Sequence, residues 1–194
     1  MAKLHFRYSA MNSGKSTMLL QTAHNYEERD MHVLVTKPAI DSKGNDMVVS
    51  RIGASRKVDF LTQLETNLRD EVTARALGNT ACVLIDEAQF LQPNQVDQAF
   101  QIAVSDDIPV ITYGLRTDFQ TVGFPGASRL LEIAHDLQEI KTICRCGAKA
   151  VFNGRKQAGH YIFEGNQVAI DGMGDIEYES LCGACYYTAR DGSL

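Results

Sequence analysis

The chain has 194 residues, of which 44% are hydrophobic and 22% charged, with a formal net charge of −5. That size and balance suit a globular protein with one main core and room for a small appendage. The acidic excess argues against a nucleic-acid partner held by broad electrostatics. No apolar run approaches the roughly 20 residues that cross a bilayer, and Arg7 interrupts the first short one. No membrane partner is therefore expected, and a cytoplasmic address with reduced thiols is.

LHFRY (4–8) alternates as a strand and feeds a loop at 9–16, after which residues 17–29 read as a helix. HVLVT (32–36) is a compact buried strand, ended by Pro38. Residues 41–56 are polar, with two glycines, and read as a loop. Asp59 is placed to cap a helix over 60–77, in which Phe60, Leu61, Leu64, Leu68, Val72 and Ala76 recur at helical spacing and Gly78 closes the end. CVLIDEAQF (82–90) is an apolar strand ending in two carboxylates. Pro93 suits the first turn of another helix, PVITY (109–113) is a further strand, and 126–135 is helical. Strands alternating with helices predict an α/β fold with a mostly parallel sheet. Beyond Ile143 short runs and glycines take over. A boundary near 140 then gives a nucleotide-binding α/β domain at 1–140 and a small zinc-binding lid domain at 141–194.

The loop SAMNSGKS (Ser9, Ala10, Met11, Asn12, Ser13, Gly14, Lys15, Ser16) fits the phosphate-binding frame G-x-x-x-x-G-K-[ST] except at its first position. A phosphate there is held by main-chain amides backed by a helix N-terminus. Gly14 permits close approach, Lys15 reaches the outer phosphates, and Ser16 offers a hydroxyl to Mg²⁺. Serine serves at position 9 if its φ stays negative. An apolar strand ending in Asp86 is where such proteins hold Mg²⁺, directly or through water. Glu87, next in sequence, is placed to act as a base near the terminal phosphate. It would activate water in an ATPase or deprotonate a hydroxyl in a kinase, and the two motifs do not separate these. In a DNA-stimulated ATPase, Arg116 or Arg129 would supply a trans-acting arginine. A non-catalytic ATP-holding module is the third reading.

Four of the five cysteines form a C-x-C (Cys144, Cys146) and a C-x-x-C (Cys182, Cys185). Four thiolates in two close pairs suit a closed, structural Zn²⁺ site, with disulfides as the competing arrangement. Zinc would turn 147–181 into a tethered excursion beside the nucleotide site. Cys82 reads as a core residue.

SAMNSGKST, VLIDEAQF, YGLRTDFQ (113–120) and the C-terminal cysteine pairs together resemble the zinc-containing class of thymidine kinases over nearly the whole chain. The resemblance implies a RecA-like α/β core and a zinc-bound lasso. It implies transfer of phosphate from ATP, with Mg²⁺, to the 5′-hydroxyl of thymidine or deoxyuridine-type analogues. A homotetramer and feedback inhibition by thymidine triphosphate also follow from it. Ser9 to Ser16 match the ATP loop, Asp86 the magnesium-linked acid, Glu87 the general base, and Ala88 and Gln89 the adjoining nucleotide-contacting positions. Met11, Phe90, Leu115 and Phe119 match positions enclosing the base, and VAIDG (Val168, Ala169, Ile170, Asp171, Gly172) the lasso segment that reads its edge. Tyr178 matches a tyrosine near the sugar, and Arg51 a basic residue near the transferred phosphate. Where family members often open the loop with Gly-Pro, this chain has Ser9-Ala10.

Overall fold

The computed structural model describes residues 1–41, 45–167 and 176–192. Among these, six parallel strands form the main sheet: β1 (Leu4–Ser9), β2 (His32–Pro38), β5 (Phe60–Thr62), β6 (Thr80–Ile85), β7 (Val110–Leu115) and β8 (Asp136–Glu139), in the order β5-β2-β6-β7-β1-β8. The expected α/β architecture is thus observed. Strands covered on both faces need apolar residues at every position, and β7 is buried along its full length.

Alternate residues go to opposite faces. Val83 and Ile85 pack with Leu34 against α2 (Leu68–Arg75), α3 (Pro93–Ser105) and α4 (Pro125–Ile133). Cys82 and Leu84 pack with Val33 and Val35 against α1 (Lys15–Glu27) through Leu19 and Ala23. Each such aliphatic side chain contributes about 1.5–3 kcal/mol by leaving water. Burial pushes the Cys82 thiol up to about 12, as befits a core residue.

Two expectations fail in the segment after β2. The polar stretch at 41–56 carries a hairpin, β3 (Met47–Val49) paired with β4 (Ser55–Lys57). Val48 and Val58 insert into the α1-side core, and the hairpin tip presents Arg51. The helix expected over 60–77 is only its second half. Residues 60–62 are instead β5, in register with Thr36 to Pro38, and Thr36 Oγ1 donates to the Phe60 carbonyl at 2.8 Å. Asp59 caps nothing; its carboxylate accepts the Val35 N–H at 2.7 Å. The connection that follows is held by Gln95 of α3, whose Nε2 donates to the carbonyls of Gln63 and Thr66 at 2.8 and 3.1 Å. Helix α2 therefore starts late, capped by Asn67, and it ends at Ala76 rather than at Gly78.

The chain then builds a smaller layer from the hairpin β9 (Thr142–Ile143) and β10 (Lys149–Ala150), and from an antiparallel sheet of β11 (Phe152–Gln157), β12 (His160–Ile162) and β13 (Ile176–Leu181). Helix α5 (Gly183–Asp191) closes it, with Leu181 and Tyr186 buried in a core of its own. No described helix is long and apolar enough to cross a membrane.

Candidate active site

Parallel strands bring their carboxyl ends to one edge of the sheet, the usual place for a ligand in an open α/β fold. Here that edge carries the loop after β1, the Asp86-Glu87 pair after β6, and residues 115–119 at the end of β7. Gly14 adopts φ 83° and caps α1 without a side-chain bond, so the first-turn amides point into the loop. Ser9 is not among the positive-φ residues, which meets the condition for a serine at the first loop position. Its Oγ lies 2.5 Å from Ser13 Oγ and receives a bond from Lys15 Nζ at 3.4 Å. Ser9 and Ala10 are buried at the base of the loop.

Ser16 Oγ donates to Asp86 Oδ2 at 3.0 Å, while Asp86 Oδ1 is buried without a hydrogen-bond partner. Burial and the neighbouring Glu87 push the Asp86 carboxyl up to about 7, against the Ser16 bond and the Lys15 charge, which pull it down. A hydroxyl and a carboxylate oxygen lacking a partner fit a hard, oxygen-seeking cation such as Mg²⁺.

Glu87 stands in the left-handed region at φ 48°, an uncommon and strained conformation for a non-glycine residue. Gln89, fully buried in the 3₁₀ turn Ala88–Phe90, donates Nε2 to Glu87 Oε2 at 2.5 Å and accepts the Leu115 N–H at 3.0 Å. Gly114 has no room for a Cβ because Gln89 Oε1 would lie 2.8 Å from it. Ala88 is packed in the main core beneath the turn.

Two cavities open here. One, of about 280 Å³, runs along the loop and is lined by Ser13 to Ser16 and by the hairpin tip. The other, of about 550 Å³, is lined by Phe90, Phe119 and Tyr178 together with Asp118, Asn153 and Gln167. Met11, Asn12, Arg51, Glu87 and Leu115 line both. The structure thus brings the expected loop, acid pair, apolar walls, Tyr178 and Arg51 to one place. Val168, Ala169, Ile170, Asp171 and Gly172 lie outside the described residues. Arg129 is engaged elsewhere, with Asp97 at 2.8 Å and Glu132 at 2.9 Å.

Sequence reasoning missed Asn153, Arg155 and Asp118, each nearly fully buried. Asn153 Oδ1 accepts the Met11 N–H at 2.7 Å and its Nδ2 donates to the Thr117 carbonyl at 2.9 Å. Asp118 accepts the Gln120 and Val122 amides, both at 2.8 Å, and Gln167 Nε2 at 3.0 Å. The small layer is bound directly to the loop, since Asn12 Nδ2 donates to the Tyr178 carbonyl and Ser180 Oγ to that of Met11. The one signal in the sequence was a pair of polar residues two apart in a strand, Asn153 and Arg155, which must share a face.

The Sγ atoms of Cys144, Cys146, Cys182 and Cys185 all lie within 4.8 Å of one another, with Cys146 and Cys182 at 3.6 Å, and none is in a disulfide. Tetrahedral zinc with Zn–S bonds of about 2.3 Å separates its sulfurs by about 3.8 Å, so the cluster fits Zn²⁺. Burial opposes ionisation of Cys144, but the amides of Cys146 and Cys182 and the neighbouring thiols bring it down to about 7.

The family model for thymidine kinase matches residues 2–186. The chain is 47% identical over 192 residues to a thymidine kinase of Chromobacterium violaceum, covering 96% of this chain and 99% of that one. It is 49% identical to a thymidine kinase of Haemophilus influenzae over the whole of both chains, and 46% identical to one of Enterobacteria phage T4 over 94% of each. With a match this long and this similar, the chain belongs to the thymidine kinase family.

Proposed function

We propose that this chain transfers a phosphate from ATP to the 5′-hydroxyl of thymidine, with Glu87 as the general base. The observation that carries the reading is the junction of the two cavities. Glu87 and Arg51 line both the phosphate-loop cavity and the larger aromatic one, so a donor phosphate and an acceptor hydroxyl would meet beside them.

In this mechanism the loop amides and Lys15 hold the donor phosphates, and Ser16 and Asp86 hold Mg²⁺. Bound there, Mg²⁺ would neutralise charge on the phosphate oxygens. Thymine lies among Met11, Phe90, Leu115 and Phe119, where its flat face and methyl group find apolar contacts. Glu87, held through one oxygen by Gln89, takes the proton of the attacking hydroxyl. Positioning supplies most of the acceleration. Cys144, Cys146, Cys182 and Cys185 hold Zn²⁺, which ties the ends of the small layer together. The wider reading includes action on deoxyuridine-type analogues, inhibition by thymidine triphosphate, a homotetramer and a cytoplasmic address. These rest on the family to which the chain belongs.

The test is ATP consumption with Mg²⁺ against deoxynucleosides, water alone and single-stranded DNA. Turnover that requires thymidine and yields its 5′-monophosphate is expected. Turnover that ignores thymidine and rises with DNA would put a water beside Glu87 instead.

A further inference from the structure

Arg155 follows Asn153 by two residues on β11, so both project from one face of the strand. Its side chain is only 3% exposed. The guanidinium carbon stands 3.7 Å from the centre of the Phe119 ring and 5.3 Å from that of Tyr178. Nε donates to the Tyr178 hydroxyl at 2.9 Å, Nη1 to the Asn166 carbonyl at 2.8 Å, and Nη2 to the Gln167 carbonyl at 3.0 Å. Among the described residues no carboxylate pairs with it.

A buried cation held by a hydroxyl and carbonyls is a costly way to tie loops together. What a guanidinium does, and an amide or an apolar side chain does not, is stack its plane on an aromatic face while its edge donates in several directions at once. Here one group fixes Phe119 from the loop after β7, Tyr178 from β13, and residues 166–167. Phe119, Tyr178 and Gln167 all line the larger cavity. The bond to Tyr178 also sets a polarity. Because the tyrosine oxygen accepts from Nε, its own proton is directed elsewhere, and the ring offers a donor to an acceptor oxygen of a bound nucleoside.

We propose that Arg155 is the positioning residue of the nucleoside site, holding Phe119 and Tyr178 in their binding geometry; this rests on the thymidine kinase activity proposed above. It acts through those two side chains, on acceptor affinity rather than on the donor loop.

The test uses full-length, zinc-loaded Arg155→Met and Arg155→Lys, with KM for thymidine and for ATP measured separately, and with zinc content and Tm recorded. Arg155→Met should raise the thymidine KM by about 10- to 100-fold, as expected for loss of several charge-assisted contacts, and leave the ATP KM within about twofold. Arg155→Lys keeps the charge but not the fork, and should recover only part of the affinity. A Phe119→Leu change should cost less in the Arg155→Met background than alone, because one variant has already released what the other removes.

A thymidine KM unchanged in both variants would overturn the proposal. So would a parallel rise in both KM values with loss of zinc and a lowered Tm, which would mark Arg155 as scaffold. If Arg155→Met does not fold, Arg155→Lys decides: a raised thymidine KM at wild-type Tm supports the role, and a wild-type KM ends it. Wild-type protein that leaves thymidine unphosphorylated overturns the functional reading first, before any variant is compared.

Discussion

Ser16 and Asp86, 70 residues apart in the chain, meet through a 3.0 Å bond that uses only one of the two carboxylate oxygens. The other oxygen is buried without a partner, and the carboxyl is pushed up to about 7 from an ordinary 3.8 by burial and by Glu87. In the metal-free protein the native state therefore holds a proton that the unfolded chain has already released between about pH 4 and 7. Stability should fall as pH rises through that window, and the full penalty should be present above it. Asp86→Asn removes this contribution, so its Tm should rise relative to metal-free wild type on going from about pH 5 to pH 8. Added Mg²⁺ should stabilise wild type most at the upper end and leave the variant unmoved. The same variant should lose about 100-fold or more in kcat. Parallel Tm profiles would show that Asp86 carries no such penalty.

Glu87 is held in left-handed backbone geometry, with its carboxylate pinned by a fully buried glutamine. Strain of this kind persists where the surroundings over-determine it, and it clusters at functional positions. Glu87→Gln preserves size and removes the carboxylate proposed as the base. Its kcat should drop by about 10²- to 10⁴-fold, with ATP affinity within about twofold of wild type. Stopped-flow ATP binding and steady-state turnover together check this. Equal turnover would take the base role from Glu87.

Gly126, the second residue of α4, packs against the turn that follows Glu87. A Cβ there would lie 2.5 Å from the Leu91 carbonyl oxygen and 2.9 Å from those of Ala88 and Gln89. Alanine ordinarily gains about 1 kcal/mol over glycine within a helix. Three backbone oxygens cannot swing aside, so the clash, about 1–3 kcal/mol, should win. Gly126→Ala should therefore unfold at lower urea and lose kcat, because the displaced turn carries Gln89. A variant as stable as wild type would mean that the turn yields without cost.

What the sequence revealed here depended on how local each signal was. A phosphate loop is eight residues of consecutive backbone between a strand and a helix, and Asp86 follows an apolar strand directly, so both were legible. The stretch 60–62 was not, because Phe60, Leu61 and Thr62 fit a helical stripe as well as a strand. Only pairing with Thr36 to Pro38, fixed from a distant part of the chain, decides between them. Likewise Asn153 and Arg155 sit in FNGRKQ, a short and mostly polar stretch whose own residues carry no mark of burial. Their burial arises when the small layer docks on the loop after β1. The aromatic walls lay between these cases: in the sequence only the family resemblance singled out Phe90 and Phe119 as cavity-lining.

Removing zinc should reach the nucleoside side of the site first, and the wiring of the small layer says why. Cys182 caps α5 through its sulfur, which accepts the Cys185 N–H at 3.4 Å, and Tyr186 in the first turn of α5 donates to the Phe119 carbonyl at 2.7 Å. Strand β13, which runs straight into Cys182, carries Tyr178 and Ser180. Loss of the metal frees both ends of that unit at once. The phosphate loop keeps its own helix α1, its Lys15 and the Ser16–Asp86 bond. It is linked to the small layer through Asn153, Ser180 and the Tyr178 carbonyl. Replacing Cys182 and Cys185 by Ser, or titrating with a chelator, should therefore release about one zinc per chain. The thymidine KM should then rise at least about tenfold, before ATP binding weakens. Metal analysis run alongside the two KM values checks the order. Native protein without zinc would remove the clamp from this account, and ATP binding lost first would mean that the small layer holds the phosphate loop more tightly than it holds Phe119.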